Sequence, residues 1–337
     1  GLHHLICRES WCPMRFRVLL LASIHEDAVR ILEAVAELRK NARDRPLARE
    51  ELVSEVRDVD AVIVGGEKID EGILEAAGNL KVVSRFGVGY DNVDVDAATR
   101  RGILVTYTPG VLSDAVAELT MGLILCLSRN LLSADAFVRS GEWHRGSRFP
   151  LTMDLVNKEL GVVGLGRIGA QVTRRAKPFG MKLSYYDLIR NPKLEEELRI
   201  TYLPLEELLR RSDFVSIHVA LTDQTRKMIG PRELSLMKAT AYLVNTSRGG
   251  VIDQVALYEA LKERRIAGAA LDVFEREPIP ADDPLLRLGN VVVVPHIGSA
   301  TVETRRRMAI TAAENVVRVL RGEPPVFAVN PEVLRSR

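Results

Sequence analysis

A formal net charge of +2 spread over 337 residues is too small to argue for a nucleic-acid partner or a membrane surface. The apolar share of 47% and charged share of 27% are those of a globular chain, and the length suits about two domains. Three cysteines, Cys7, Cys12 and Cys126, build neither a zinc framework nor a disulfide scaffold, which points to a reduced, cytoplasmic setting. No apolar run reaches the length of a membrane span.

Residues 1–13 lack the apolar core and cleavage pattern of a signal peptide, and residues 1–15 read as an N-terminal extension, with Met14 an alternative start. Phe16 to Ala22 is a β-rich apolar run. Glu26 to Lys40 reads as a helix with Val29, Leu32, Val35, Ala36 and Leu38 as its apolar positions. Ala61 to Val64 is a strand ending in Gly65-Gly66, and Ile69 to Ala77 a short helix. Leu80 to Ser84 is a third strand, running into Arg85-Phe-Gly-Val-Gly-Tyr-Asp91. A short helix, Ala97 to Arg101, and a strand, Ile103 to Thr106, complete this unit. Strands alternating with helices imply a parallel, doubly wound α/β sheet. The unit has no dinucleotide fingerprint, so it is assigned the substrate side. Thr108-Pro-Gly110 is a turn and a domain boundary.

Ser113 or Asp114 caps a helix running to about Leu131 that is apolar on nearly every side. Such a helix is buried, in a core or against a second subunit. Leu160 to Val163 reads as a buried strand, followed by Gly164-Leu165-Gly166-Arg167-Ile168-Gly169 and an amphipathic helix. The first glycine permits the turn, the second lets a pyrophosphate approach the backbone, and the third lets the helix pack on the strand. The helix N-terminus offers unpaired N–H groups to the phosphates. A second strand, Lys182 to Tyr186, ends in Asp187, 18 residues after Gly169, close to the spacing of a ribose-binding carboxylate. A glycine-rich turn alone signals little; strand, helix and acid together make it a dinucleotide site.

Further strands follow at Phe214 to Val219, Ala241 to Asn245, Ala267 to Val273 and Val291 to Val294. Helices open at Pro231 and after Asp253, and a long one spans Thr301 to Leu320. In open α/β sheets ligands bind beyond the carboxyl ends of the strands. Three strand ends there carry reactive groups: Arg248, Glu277 and His296. Arg248 suits a substrate carboxylate, gripped bidentately. His296 suits a proton donor to a developing alkoxide. Glu277 suits an acceptor that fixes the imidazole tautomer. Singly, each is more often a surface or structural group; together beside a dinucleotide site they form a mechanism. His218, also at a strand end, is the rival acid. His3, His4, His25 and His144 have no comparable setting. No metal site is expected.

The motifs Gly164–Gly169 with Asp187, Asn245-Thr-Ser-Arg-Gly-Gly-Val-Ile-Asp253, Leu271-Asp-Val-Phe-Glu-Arg-Glu-Pro278 and Pro295-His-Ile-Gly-Ser-Ala300 together resemble the D-isomer-specific 2-hydroxyacid dehydrogenases. The resemblance runs from about residue 16 to 332. It implies two Rossmann-like domains around a cleft. The substrate domain is discontinuous, 16–109 with 296–337, and the NAD-binding domain is 110–295. It implies Arg248, Glu277 and His296 as the catalytic set. It implies NAD(H) contacts from Leu165 to Ile168, Asp187, Thr246, Ser247 and Asp272, with Gly298 beside them. It assigns the backbone of Val88 and Gly89 to the substrate carboxylate, and a homodimer, which the apolar helix from Ser113 suits. Ala220 and Asn157 depart from the family's usual proline and glycine, away from the chemistry.

Tyr107–Asp114 and Val88–Asp94 look most like glyoxylate and hydroxypyruvate reductases, acting on a small 2-keto or 2-hydroxy acid. Arg85 sits where phosphoglycerate dehydrogenases resemble this chain, and an arginine there could meet a phosphate. A dinucleotide-sensing corepressor-like binding protein is the reading from another class. The presence of Glu277 argues against the formate dehydrogenase branch.

Overall fold

The computed structural model describes residues 16–43 and 45–335. The N-terminal extension, with His3, His4, Cys7, Cys12 and Met14, lies outside the described residues. The described residues divide into two compact units: those up to Pro109 together with those from Arg305 onward, and Gly110–Thr304. The second crossing falls after Thr304 and not after residue 295. Residues 296–298 are tied into the second unit, because the Ile297 and Gly298 N–H groups donate to the buried Asp272 carboxylate.

The first unit is a five-stranded sheet: β1 (Phe16–Leu20), β2 (Ala36–Lys40), β3 (Ala61–Val64), β4 (Val82–Arg85) and β5 (Leu104–Thr106). Its order is β2-β1-β3-β4-β5, and every pairing is parallel. β3 is buried at all four positions, as expected for a strand covered on both faces. The long helix Val302–Leu320 returns the chain to this sheet, where Ser84 Oγ donates to Ala312 O. Further on, Asn330 Oδ1 accepts the Val105 N–H at 2.8 Å and Asn330 Nδ2 donates to Ile103 O at 3.0 Å.

The stretch after β1 differs from the sequence reading. The helix expected over Glu26 to Lys40 ends at Glu33, and Ala36–Lys40 is a strand pairing in register with β1, Val18 opposite Leu38. His25 is the helix cap, its Nδ1 accepting the Asp27 N–H at 3.1 Å.

The second unit is a seven-stranded sheet: β6 (Glu159–Val163), β7 (Lys182–Tyr186), β8 (Thr201–Tyr202), β9 (Phe214–Ile217), β10 (Tyr242–Asn245), β11 (Gly268–Leu271) and β12 (Val291–Val293). The order β12-β11-β10-β9-β6-β7-β8 reverses between β6 and β9, and such a reversal is where open α/β sheets bind ligands. The apolar helix Ser113–Arg129 belongs to the core of this unit. Its Ala117, Met121, Leu123, Ile124 and Leu127 pack with Leu160, Val162, Val172 and Tyr185. Each fully buried aliphatic side chain of this kind is worth about 1.5–3 kcal/mol. Asn130, in the left-handed conformation (φ 50°), ends the helix, and a second one, Leu131–Arg139, follows. Among the described residues no single helix is long and apolar enough to cross a membrane.

Candidate active site

At the reversal point, β6 delivers Gly164 with φ +99°, a conformation that side chains with a Cβ rarely adopt. A Cβ there would also lie 2.8 Å from the His218 carbonyl carbon on β9's extension. A Cβ on Gly169 would fall 2.0 Å from Gly164 O, so the helix Arg167–Ala176 sits hard against the turn. Gly166 has no atom within 4 Å of its Cβ position. Turn, open approach and close packing are thus divided among the three glycines as the fingerprint requires, and the open one lies at the helix N-cap. These residues fit a dinucleotide pyrophosphate.

Asp187 follows β7. Its Oδ2 accepts the Leu165 N–H at 2.8 Å and its Oδ1 the Leu188 N–H at 2.8 Å. It therefore stands against the glycine turn. Arg190, three residues on, is held by Glu195 through Nε at 2.6 Å and Nη2 at 2.8 Å. Its guanidinium also lies over the Tyr202 ring at 5.5 Å. Arg190, then the Tyr185 hydroxyl, hold the Glu195 carboxyl down at about 2.

The catalytic candidates come from three adjacent parallel strands, β10, β11 and β12. After β10, Asn245 shapes the turn. Its Oδ1 accepts the Ser247 N–H (3.0 Å) and hydroxyl (2.9 Å), and its Nδ2 donates to Arg248 O at 2.9 Å. Arg248 Nη1 donates to Ser247 O at 2.9 Å. Thr246 is buried, its hydroxyl 3.0 Å from that of Thr120 on the helix Ser113–Arg129. Gly249 is pressed against the next strand's loop: a Cβ there would lie 1.9 Å from the Phe274 carbonyl carbon. That contact fixes the Arg248 turn against the Glu277 segment.

After β11, Asp272 is 1% exposed. Burial pushes its carboxyl above the ordinary aspartate value, opposed by the N–H groups of Ile297 and Gly298, which donate at 2.6 and 2.8 Å. The His296 N–H donates to Asp272 O, and His296 itself has φ 52°. A histidine in that region is strained and persists only where its surroundings hold it. Asp272, expected as a cofactor contact, thus also holds the His296 turn. Glu277 Oε1 accepts the Phe274 N–H at 3.0 Å, and its Oε2 lies 2.6 Å from His296 Nδ1. Burial pushes Glu277 up. The bond to His296, its charge, the Phe274 N–H and the Arg248 charge outweigh that, leaving the carboxyl below the ordinary glutamate value.

His218 has the opposite setting. Its Nε2 lies 2.7 Å from Ser216 Oγ, and its buried Nδ1 has no partner among the described residues. Burial drives it down to about 3, so it is neutral, with no carboxylate bonded to it among the described residues. Among the described residues no cluster of three or more His, Cys, Asp or Glu groups is placed for a metal ion. Val88 and Gly89 lie in the first unit, on the loop after β4, where Arg85 turns its guanidinium back onto Asn92 and Phe86 O. Sequence reasoning missed Thr120, Asn92 and the shaping role of Asn245. A threonine inside an otherwise apolar helix was the one local signal for Thr120.

Residues 121–298 match the family model for the D-isomer specific 2-hydroxyacid dehydrogenase, NAD binding domain. A glyoxylate reductase of Korarchaeum cryptofilum is 49% identical, over 96% of this chain and 98% of its own length. One of Thermococcus litoralis is 47% identical over 96% and 99%. Among solved structures, a Thermus thermophilus protein superposes with TM-score 0.85 at 40% identity, covering 93% of this chain and 100% of its own. The NADPH-dependent glyoxylate/hydroxypyruvate reductase of Sinorhizobium meliloti, solved with NADP and malonate, gives 0.84 at 34%, covering 94% and 97%. With the glycine turn, the acid after β7 and the histidine–glutamate pair all in place, the chain belongs to the D-isomer-specific 2-hydroxyacid dehydrogenases.

Proposed function

We propose that this enzyme is an NADH-dependent glyoxylate/hydroxypyruvate reductase, in which Arg248, Glu277 and His296 carry the chemistry. The observation that carries the reading is the 2.6 Å contact of Glu277 Oε2 with His296 Nδ1, one strand over from Arg248. When bound, the nicotinamide supplies the hydride. With Nδ1 engaged by Glu277, Nε2 is the nitrogen that gives a proton to the substrate oxygen. The ionised Glu277 fixes the tautomer of the ring. Arg248 takes the substrate carboxylate with its planar fork, and the Val88 and Gly89 N–H groups take it by backbone hydrogen bonds. The relatives named glyoxylate reductases support the choice of substrate, since they align along nearly the whole chain.

The test is a panel of 2-keto acids assayed with NADH. Glyoxylate and hydroxypyruvate are expected to give the highest kcat/KM, and 3-phosphohydroxypyruvate little turnover. A clear preference for the phosphorylated acid would replace the reading with a phosphoglycerate dehydrogenase. NADH binding without turnover of any keto acid would leave a dinucleotide sensor.

We infer a homodimer built on the helix Leu131–Arg139 and the segment after it. That helix buries none of its residues. It exposes Leu131 (49%), Leu132 (58%) and Val138 (53%), and Trp143 (68%) follows, an apolar patch of the kind that marks an interface. Leu132→Asp with Trp143→Asp is expected to halve the mass measured by light scattering. A wild-type protein that is already monomeric defeats the inference. The free Cys126 thiol and the nicotinamide cofactor suit a cytoplasmic enzyme.

A further inference from the structure

We propose that Arg85 is a positioning residue which, with Asn92, fixes the loop carrying Val88 and Gly89 for the substrate carboxylate, and that it does not read a substrate phosphate. The proposal rests on the reading that those two N–H groups grip the carboxylate.

Arg85 closes β4, and its side chain turns back along its own loop. Nε donates to Asn92 Oδ1 at 3.1 Å, and Nη1 donates to Phe86 O at 2.6 Å and lies 3.5 Å from Val64 O. Asn92 passes the restraint on, its Nδ2 donating to Gly65 O at 3.1 Å and to Glu67 O at 2.7 Å. The segment from Phe86 to Asn92 is therefore pinned at both ends to the turn after β3. Gly87, with φ +154°, would strain a larger residue, and a Cβ would come 3.0 Å from Arg85 Nη1. Gly87 O accepts the Thr108 N–H at 2.9 Å, and the Phe86 N–H donates to Val64 O at 2.9 Å. Phe86 is 7% exposed, with the Arg305 guanidinium 5.5 Å over its ring.

Within this clamped loop, neither the Val88 nor the Gly89 N–H has an acceptor among the described residues. Two unspent, partly exposed donors on a fixed backbone are what an incoming carboxylate needs, because no ordering cost remains at binding. Swinging this guanidinium away toward a phosphate would break its bonds to Asn92 Oδ1 and Phe86 O, and the loop would lose its tie to Asn92. Lysine keeps the charge but cannot serve two acceptors in fixed, divergent directions.

The experiment compares Arg85→Lys, Arg85→Ala and Asn92→Ala in the full chain, with hydroxypyruvate and 3-phosphohydroxypyruvate as substrates. All three variants are expected to raise KM for both acids by a similar factor, about tenfold or more, as expected when uniform substrate binding is lost. The expected kcat stays within a few-fold and the KM for NADH is unchanged. The double variant Arg85→Ala/Asn92→Ala is expected to be no worse than either single one. Amide hydrogen exchange is expected to speed up across residues 86–92 while the β-sheet core stays protected.

A KM that rises only for the phosphorylated acid, with Arg85→Lys nearly normal, overturns the proposal in favour of phosphate reading. Wild-type KM values and wild-type exchange in Asn92→Ala overturn it outright. Should the wild type turn over neither acid, the functional reading fails, and the exchange of residues 86–92 still decides whether Arg85 and Asn92 fix the loop.

Discussion

His296→Ala is expected to lower kcat by roughly 10²–10⁴-fold, the usual effect of losing a general acid, or about 3–5 kcal/mol of barrier. NADH affinity is expected to be nearly unchanged, because the ring's partner is Glu277 and the glycine turn belongs to β6 and its helix. Glu277→Gln is a finer version of the same test. The amide keeps the shape but removes the ionised acceptor at Nδ1, so the loss is smaller and depends on pH. Glu277 lies below the ordinary glutamate value when folded. Its support for His296 is present above that folded value and is lost as pH falls through it. The wild-type acid limb due to Glu277 therefore lies below the normal glutamate range. Stopped-flow and steady-state kinetics of NADH oxidation against pH measure both effects. Near-normal turnover in His296→Ala removes the assignment. His218 is a poor replacement, being neutral and with no carboxylate bonded to it among the described residues.

What could be read from residues alone was whatever is decided locally. The glycine turn, the strand before it and the acid after β7 follow from backbone chemistry within a short stretch, and the structure puts them where the pattern did. The β-branched and aliphatic runs of β3 and β12 were equally plain. Ala36–Lys40 was not. Alanine, glutamate, leucine, arginine and lysine are all good helix formers, and nothing in that stretch favours a strand. It becomes one through pairing with β1, a tertiary influence that propensity does not contain. The break at Asn130 was missed for a different reason: a single left-handed residue interrupts an apolar pattern that otherwise continues into Leu131 and Leu132.

Within the site, residue types pointed to Arg248, Glu277 and His296, but not to what holds them. Asp272 was expected at the cofactor. Its carboxylate also bonds the two N–H groups after His296, and that is a relation between the ends of two neighbouring strands, 25 residues apart in sequence. Arg85 shows the same gap. Its position suggested a phosphate, and no local pattern announced its bonds to Asn92 Oδ1 and Phe86 O.

NADH is expected to be preferred over NADPH by about 10²-fold or more in kcat/KM, with Asp187 as the cause. The fold does not decide this, since the Sinorhizobium meliloti enzyme of the same architecture is NADPH-dependent. Asp187 has one oxygen on the Leu165 N–H and the other on the Leu188 N–H, which fixes the carboxylate at the end of β7. Each carboxylate oxygen has a second lone pair, so both can still accept the adenosine ribose hydroxyls. The same fixed charge would face the 2′-phosphate of NADP. Two unit charges 4 Å apart at an effective dielectric of about 20 repel by about 4 kcal/mol. Solvent screening at a partly exposed site reduces that, and each 1.4 kcal/mol that survives is about tenfold. The sequence held one opposing feature, Arg190, free in principle to swing toward a phosphate. In the structure Glu195 grips it through two hydrogen bonds and Tyr202 lies beneath it, so reaching the phosphate means leaving an ionised carboxylate behind. Asp187→Ser is therefore expected to narrow the preference chiefly by improving NADPH. Glu195→Gln added to it would loosen Arg190 and improve NADPH further. Steady-state kcat/KM with both cofactors, for wild type and the two variants, measures each step. Equal use of NADH and NADPH by the wild type, or an unchanged ratio in Asp187→Ser, would take the discrimination away from this carboxylate.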